Sequence, residues 1–485
     1  MKNTALQFRR LRRETPILLA CLIILIGFTS CPRPIRPLSD VPANPYPLLS
    51  QGDTAVRYDT TKKWLDWNVL FLQGTDSATR QLAIQIIEDS ITQYINHYNQ
   101  NHTTNFQVVQ QFVFCPCDTL LYNISAVPLG GTGQGSNPPP PSGGIKPGGS
   151  GDGTAYVSNN ESFTMDTLIS SLDTATKLLF HLNSFTANTS QLTLAIMDSG
   201  LDTAYFDHSL LPLIWIPQQS RVINNFLWYR NNKPLYYAFD DDTLKHGTAV
   251  TALSLQAVQG TGTGATVQPR LMVLKVLDNR RIGSTFSVSC ALSYAAQQHA
   301  TLINASLGYY STGAVDSILR YYVDTCAKAG VGIPVVAAAG NLPGAHNPAL
   351  LCTPAPSTNA LGPKRLFFPA CFTRDLPNVI SVTGLVDRWD ACEYQNYSNS
   401  LVSVGVYNHV SPQASCCQYN LAFLSMGYEG TSFAAPVVSG KMMGVLIGAP
   451  STVPGNALRP ILGPTASSNA TLRPWVTING QYIDY

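Results

Sequence analysis

An aspartate, a histidine, an asparagine and a serine in this chain each stand where a regular element begins or ends. Ser432 lies in Gly430-Thr431-Ser432-Phe433-Ala434-Ala435-Pro436, which leads into an apolar run over 437–447 suited to a buried helix. A serine there has its hydroxyl at the positive end of the helix dipole, among small neighbours that let another backbone approach. Taken alone, Thr431-Ser432 reads as an ordinary helix N-cap. Its company upstream changes that reading. Asp198 closes an apolar strand and is followed by Ser199-Gly200; His246 opens a helix in His246-Gly247-Thr248; Asn341 follows Ala337-Ala338-Ala339-Gly340 at the end of another strand. An aspartate to orient an imidazole, a histidine to take a proton, a serine to attack and an amide to meet an oxyanion make one complete acyl-transfer set.

The elements that must position these groups are legible as short β-branched runs at 192–198, 270–277, 301–307, 333–339 and 379–383, with helical stretches at 246–256, 285–299 and 315–328. Apolar strands alternating with helices predict an α/β domain over 154–450 built on a mainly parallel, doubly wound sheet. In such sheets, sites collect at the carboxyl ends of the strands, where Asp198 and Asn341 fall.

The blocks Asp198-Ser199-Gly200, His246-Gly247-Thr248, Gly340-Asn341 and Gly430 to Pro436 resemble, in this order, the active-site blocks of the subtilisin-like serine proteases, the subtilase or peptidase S8 family. Lys275-Val276-Leu277, 303–308 and 377–382 match further family blocks. The resemblance implies an endopeptidase acting on proteins or peptides, with Asp198 supporting the imidazolium, His246 as general base then acid, Ser432 as nucleophile and Asn341 as oxyanion donor. It also implies that Ser306, Leu307 and Gly308 pair with an extended substrate, while Ala338, Ala339 and Gly340 line the pocket for the side chain before the scissile bond. No metal or cofactor is required for the chemistry. Asp207 stands where the family often binds structural calcium, but the loop for the remaining ligands is not recognisable in 258–264. Ala249, Phe433 and Val437 depart from common family residues, and none of the three is itself a catalytic group.

The N-terminal third has a different character. Five of the 30 basic residues precede a short apolar run at 17–28 and then Thr29-Ser30-Cys31, the layout of a secretory signal over 1–30. Ending on cysteine, it resembles the lipobox of bacterial lipoproteins, which implies acylation of Cys31, a lipid anchor and a membrane or cell-envelope location; ordinary secretion is the alternative. Only 12% of the 485 residues are charged, and no basic patch calls for a nucleic acid. Residues 31–127 form a second α/β module, with strands at 69–72 and 106–114 and a helix at 77–98 carrying Leu82, Ile86, Ile91, Ile95 and Tyr98 inward. The family resemblance makes this module a propeptide-like domain, an inhibitor and folding aid for the catalytic domain; a retained accessory domain is the alternative. Residues 128–153, rich in Gly, Pro and Ser, form a linker, and 451–485 a C-terminal tail.

Of 11 cysteines, nine lie beyond Cys21 and Cys31, so at least one is unpaired within a monomer. Cys352 with Cys371, and Cys392 with Cys416 or Cys417, are plausible bridges. Cys115-Pro116-Cys117 invites a metal or redox reading, but no partner pair stands at ligand spacing, which favours a structural role. Two functional classes remain: an active exported peptidase, and a binding or structural protein on the same scaffold.

Overall fold

A computed structural model describes residues 65–102, 105, 107–115, 117–129, 155–165, 168–171, 179–182, 188–214, 238–261, 267–311, 316–342, 355–386, 390–408, 417–461 and 477–485. The segment expected to be a signal, Cys31 and nearly all of the expected linker lie outside the described residues.

The N-terminal module begins with β1 (Leu65–Phe71), α1 (Ser77–His102), β2 (Gln107–Cys115) and β3 (Asp118–Leu129). Its sheet is completed from beyond the linker by β4 (Ala155–Asn159), in the antiparallel order β2-β3-β1-β4. Ile87, Ile91 and Ile95 recur every four residues, so they form one stripe of α1 and pack on Val69, Phe71, Ile124 and Ala126. Of the stripe expected from sequence, Ile91 and Ile95 are buried, whereas Leu82 and Ile86 are 61% and 43% exposed, because they lie off the stripe that Ile87 continues.

The larger sheet contains β5 (Asn188–Asp198), β6 (Val267–Lys275), β7 (Leu302–Ala305), β9 (Val335–Ala338), β11 (Val379–Leu385), β12 (Val404–Tyr407) and β13 (Tyr482–Asp484). All seven are parallel, in the order β13-β12-β11-β9-β7-β5-β6. Beside it, β8 (Tyr309–Ser311) and β10 (Leu366–Phe368) form a short antiparallel ribbon. The residues read from sequence as a tail thus provide the sheet's edge strand.

Leu194, Ile196, Val336, Ala338 and Val382 face a core shared with α2 (His246–Gln259) and α5 (Thr431–Gly448). Their alternation with buried Ala195, Met197, Val335 and Ala337 places an apolar layer on each face, as a doubly wound sheet requires. α5 is apolar enough in length and composition to cross a membrane, yet 78% of it is buried inside the protein, where it is the central helix. It crosses α2 at Gly440, where a Cβ would stand 2.1 Å from the Ser254 carbonyl oxygen; only glycine permits that approach. α3 (Thr285–Gln297) and α4 (Ser317–Lys328) pack on each other and carry the N-terminal module. A disulfide joins Cys392 to Cys417. The bridge expected between Cys352 and Cys371 is not formed: Cys371 is a buried thiol whose sulfur accepts the Phe367 N–H at 3.2 Å.

Candidate active site

β5 delivers Asp198 as its last residue, and α2 begins at His246 itself. The two meet below the crevice: His246 Nδ1 lies 2.7 Å from Asp198 Oδ1, with the ring fully buried and the aspartate 1% exposed. The same oxygen accepts the Ser199 N–H at 2.7 Å. This contact fixes the proton on Nδ1 and presents Nε2 as the basic nitrogen. Burial alone would push the His246 pKa down; the charge of Asp198, its hydrogen bond and the nearby Asp242 outweigh that and raise it.

Ser432 is the second residue of α5, after Gly430 at φ 131°. The glycine takes a conformation costly for any other residue and turns the chain sharply into the helix. Phe433 then stands against His246, ring centroids 5.0 Å apart, which places the imidazole beside the first turn of α5. Ser432 Oγ and His246 Nε2 are both buried and neither makes a hydrogen bond. Catalytic hydrogen bonds are commonly loose without substrate and tighten in the Michaelis complex. Ser432 is only 2% exposed.

Asn341 follows Gly340, which sits at φ 90°. Its Oδ1 accepts from Thr431 N–H at 3.1 Å and from the Thr431 hydroxyl at 3.3 Å, while that hydroxyl accepts the Gly340 N–H at 2.9 Å. These bonds fix which end of the amide donates: Nδ2 lies on the side of Gly430, within 3.0 Å of where a Cβ there would stand. Tyr310 Oη donates to the Asn341 carbonyl at 2.7 Å and is itself held by Arg365 and Asn396. A side-chain amide held at its oxygen, on a backbone held at its carbonyl, is a preorganised donor.

Several residues that hold this arrangement escaped the sequence reading. Asp240 Oδ2 accepts from Thr248 N–H and hydroxyl, and its Oδ1 accepts from Ser199 Oγ; burial raises its pKa. Asp242 accepts the His246 N–H at 3.1 Å and pairs with Arg281. Lys275 donates to the Ser199 carbonyl and to Asp241 at 2.8 Å. The run Asp240-Asp241-Asp242 just before His246 was the available signal, since three adjacent carboxylates in a chain so poor in charge require partners.

Ser306, Leu307 and Gly308 lie between β7 and β8, buried and in no strand. Ala338, Ala339 and Gly340 are buried as well. Phe367 stands between them. A Cβ at Gly308 would lie 2.3 Å from its ring and one at Gly340 2.7 Å from it, so the ring is in contact with both glycines and is itself 5% exposed. Asp207 Oδ1 caps a short 3₁₀ turn through the Ser209 N–H at 2.8 Å. Among the described residues no group of three His, Cys, Asp or Glu is arranged to hold a metal ion.

The subtilase family model matches residues 189–474. Subtilisin-like protease 2 of Plasmodium falciparum, matched also in isolate 3D7, is 25% identical over 252 residues, covering 50% of this chain and 16% of that protein. This chain therefore spans about a sixth of the length of those curated relatives. Among solved structures, a cold adapted subtilisin-like serine proteinase is 17% identical with a TM-score of 0.41, covering 63% of this chain and 94% of the other. The family match takes in more than half of the sequence and runs through Asp198, His246, Asn341 and Ser432; the chain belongs to the subtilase family.

Proposed function

We propose that the protein is an exported serine endopeptidase. The observation that carries this reading is the buried Asp198–His246 pair beside Ser432 at the start of α5, with Asn341 held as a donor by Thr431. His246 Nε2 takes the Ser432 proton as Oγ attacks the scissile carbonyl; the oxyanion is met by Asn341 Nδ2 and the Ser432 N–H. The imidazolium, stabilised by Asp198, then protonates the leaving amine. His246 next deprotonates the water that hydrolyses the acyl-enzyme. A peptide running past 306–308 would place the side chain before the scissile bond between Gly308 and Gly340. With Phe367 there, small side chains are the class that fits.

The test is labelling with a fluorophosphonate, which reacts only with a serine activated by its base. The wild type should label at Ser432 and hydrolyse casein, and Ser432→Ala should do neither. The buried serine and the unmade Ser432–His246 hydrogen bond would equally suit a non-catalytic scaffold, and absence of labelling in a folded protein from which the N-terminal module has been released would establish that second reading.

The N-terminal module is read as propeptide-like, supported by its βαββ order and its seat on α3 and α4. Cys31 is read as the lipidated N-terminus of the mature protein at the membrane; loss of lipid labelling in Cys31→Ala tests it.

A further inference from the structure

The Cys115-Pro116-Cys117 turn has no place in the acyl-transfer site, yet it lies where the module meets the subtilase domain. β2 ends at Cys115 and β3 begins at Asp118, so Cys117 is at the tip of the hairpin. That tip rests on α3 and α4. Gln297 Nε2 donates to the Cys117 carbonyl at 2.9 Å, the Cys117 thiol donates to the Cys290 carbonyl at 3.5 Å, and Tyr322 Oη donates to Asp118 Oδ2 at 2.6 Å. The Cys115 and Cys117 sulfurs are 3.4 Å apart, and Cys290, whose carbonyl the Cys117 thiol meets, lies close enough for its thiol and that of Cys115 to affect each other's ionisation. Cys115 and Cys290 are buried, whereas Cys117 is partly exposed. None of the three is in a disulfide. The companion that sequence spacing failed to supply is a single cysteine from a distant helix.

We propose that this cluster is a thiol–disulfide exchange site whose product is a Cys115–Cys290 disulfide stapling the N-terminal module to α3, with Cys117 as the entry thiol. The oxidant is an external disulfide, RSSR. The Cys117 thiolate attacks it and releases one RSH. The Cys115 thiol, 3.4 Å away, displaces the second RSH and forms a Cys115–Cys117 bond. The Cys290 thiol then attacks the Cys115 sulfur, and Cys117 leaves as a thiol. In sum, RSSR and two protein thiols give one protein disulfide and two RSH. Burial opposes a thiolate at Cys115, but its neighbours Cys117 and Cys290 outweigh it and lower the pKa, which suits the sulfur that takes part in every later step. Exchange ends at Cys290 for two reasons. A disulfide across one intervening residue in a tight hairpin is strained and reducible. A bond from the module to α3 instead closes a long loop and constrains the unfolded chain far more. The staple would outlast a cut between β3 and β4, so that release of the module requires reduction as well as proteolysis; only this consequence rests on the proposed peptidase reading.

The bond itself is tested in the full chain carrying Ser432→Ala, which separates it from activity. The protein is incubated with oxidised glutathione, blocked with N-ethylmaleimide and mapped by non-reducing peptide mass spectrometry. The expected result is the peptide bearing Cys115 and Cys117 joined to the one bearing Cys290, with Cys117 alkylated and the pair separating on reduction. Cys117→Ser should retain the cross-link but form it at least several-fold more slowly, and Cys290→Ser should lose it. A Cys115–Cys117 bond with Cys290 alkylated, three alkylated thiols, or a cross-link formed at the same rate in Cys117→Ser would overturn the proposal.

Discussion

Phe367→Ala should change what the peptidase accepts and leave its chemistry alone. The ring is in contact with Gly308 and Gly340 and is 5% exposed, so removing it opens a recess of phenyl size beside the path proposed for substrate. A phenylalanine or leucine placed before the scissile bond would then be buried. Full burial of such a side chain is worth about 1.5–3 kcal/mol, so its kcat/KM relative to alanine at that position should rise ~10- to 150-fold. The free protein should lose about 3–5 kcal/mol of stability, as buried Phe→Ala changes do, and Phe367→Leu offers a milder version of the same test. The assay is kcat/KM for two peptide p-nitroanilides that differ only in that residue, Ala or Phe, on both enzymes, with Tm recorded beside it. A wild type that already prefers Phe, or a variant in which both substrates change by the same factor, would refute the placement of the pocket.

Three other outcomes follow from the same geometry. Asn341→Leu, which keeps the volume but not the donor, should lower kcat by ~10²- to 10³-fold with KM little changed, the usual effect of losing one oxyanion donor; a near-normal kcat with a raised KM would reassign Asn341 to ground-state binding. Because the His246 pKa is raised and the base must be neutral, kcat/KM should climb with pH through a midpoint above the ordinary histidine value of about 6.5. Asp198→Asn removes the two largest causes of that rise and leaves burial opposed only by Asp242, so a pH–rate profile of the variant should show a midpoint below that of the wild type and a rate reduced by about 10⁴-fold.

Much of this was readable before any coordinates. The strands leading to Asp198 and Asn341 and the helices opening at His246 and Ser432 have the expected places, because β-branched runs and helix-opening turns are local signals. What could not be read was set by partners far away in sequence. Nothing near Cys115 announces Cys290, and nothing near Gly340 announces that a ring from β10 fills the recess beside it. In α1 the spacing predicts the inward Ile91 and Ile95, but Leu82 and Ile86 satisfy helical spacing as well as Ile87 does, and only the packed sheet chooses between them. β3 and β4 were passed over where they border the Gly- and Pro-rich stretch, and β13 because it is only three residues long.

That three-residue strand bears on how the protein must be made. β12 acquires its outer neighbour only when Tyr482 to Asp484 arrive, after α5 has been threaded through the core. Until then the backbone of Val404–Tyr407 is an open template for any other extended chain. A nascent or C-terminally trimmed protein would therefore have every group of the acyl-transfer set in its sequence and still carry an unprotected rim on its main sheet. Its characteristic failure would be self-association rather than loss of chemistry.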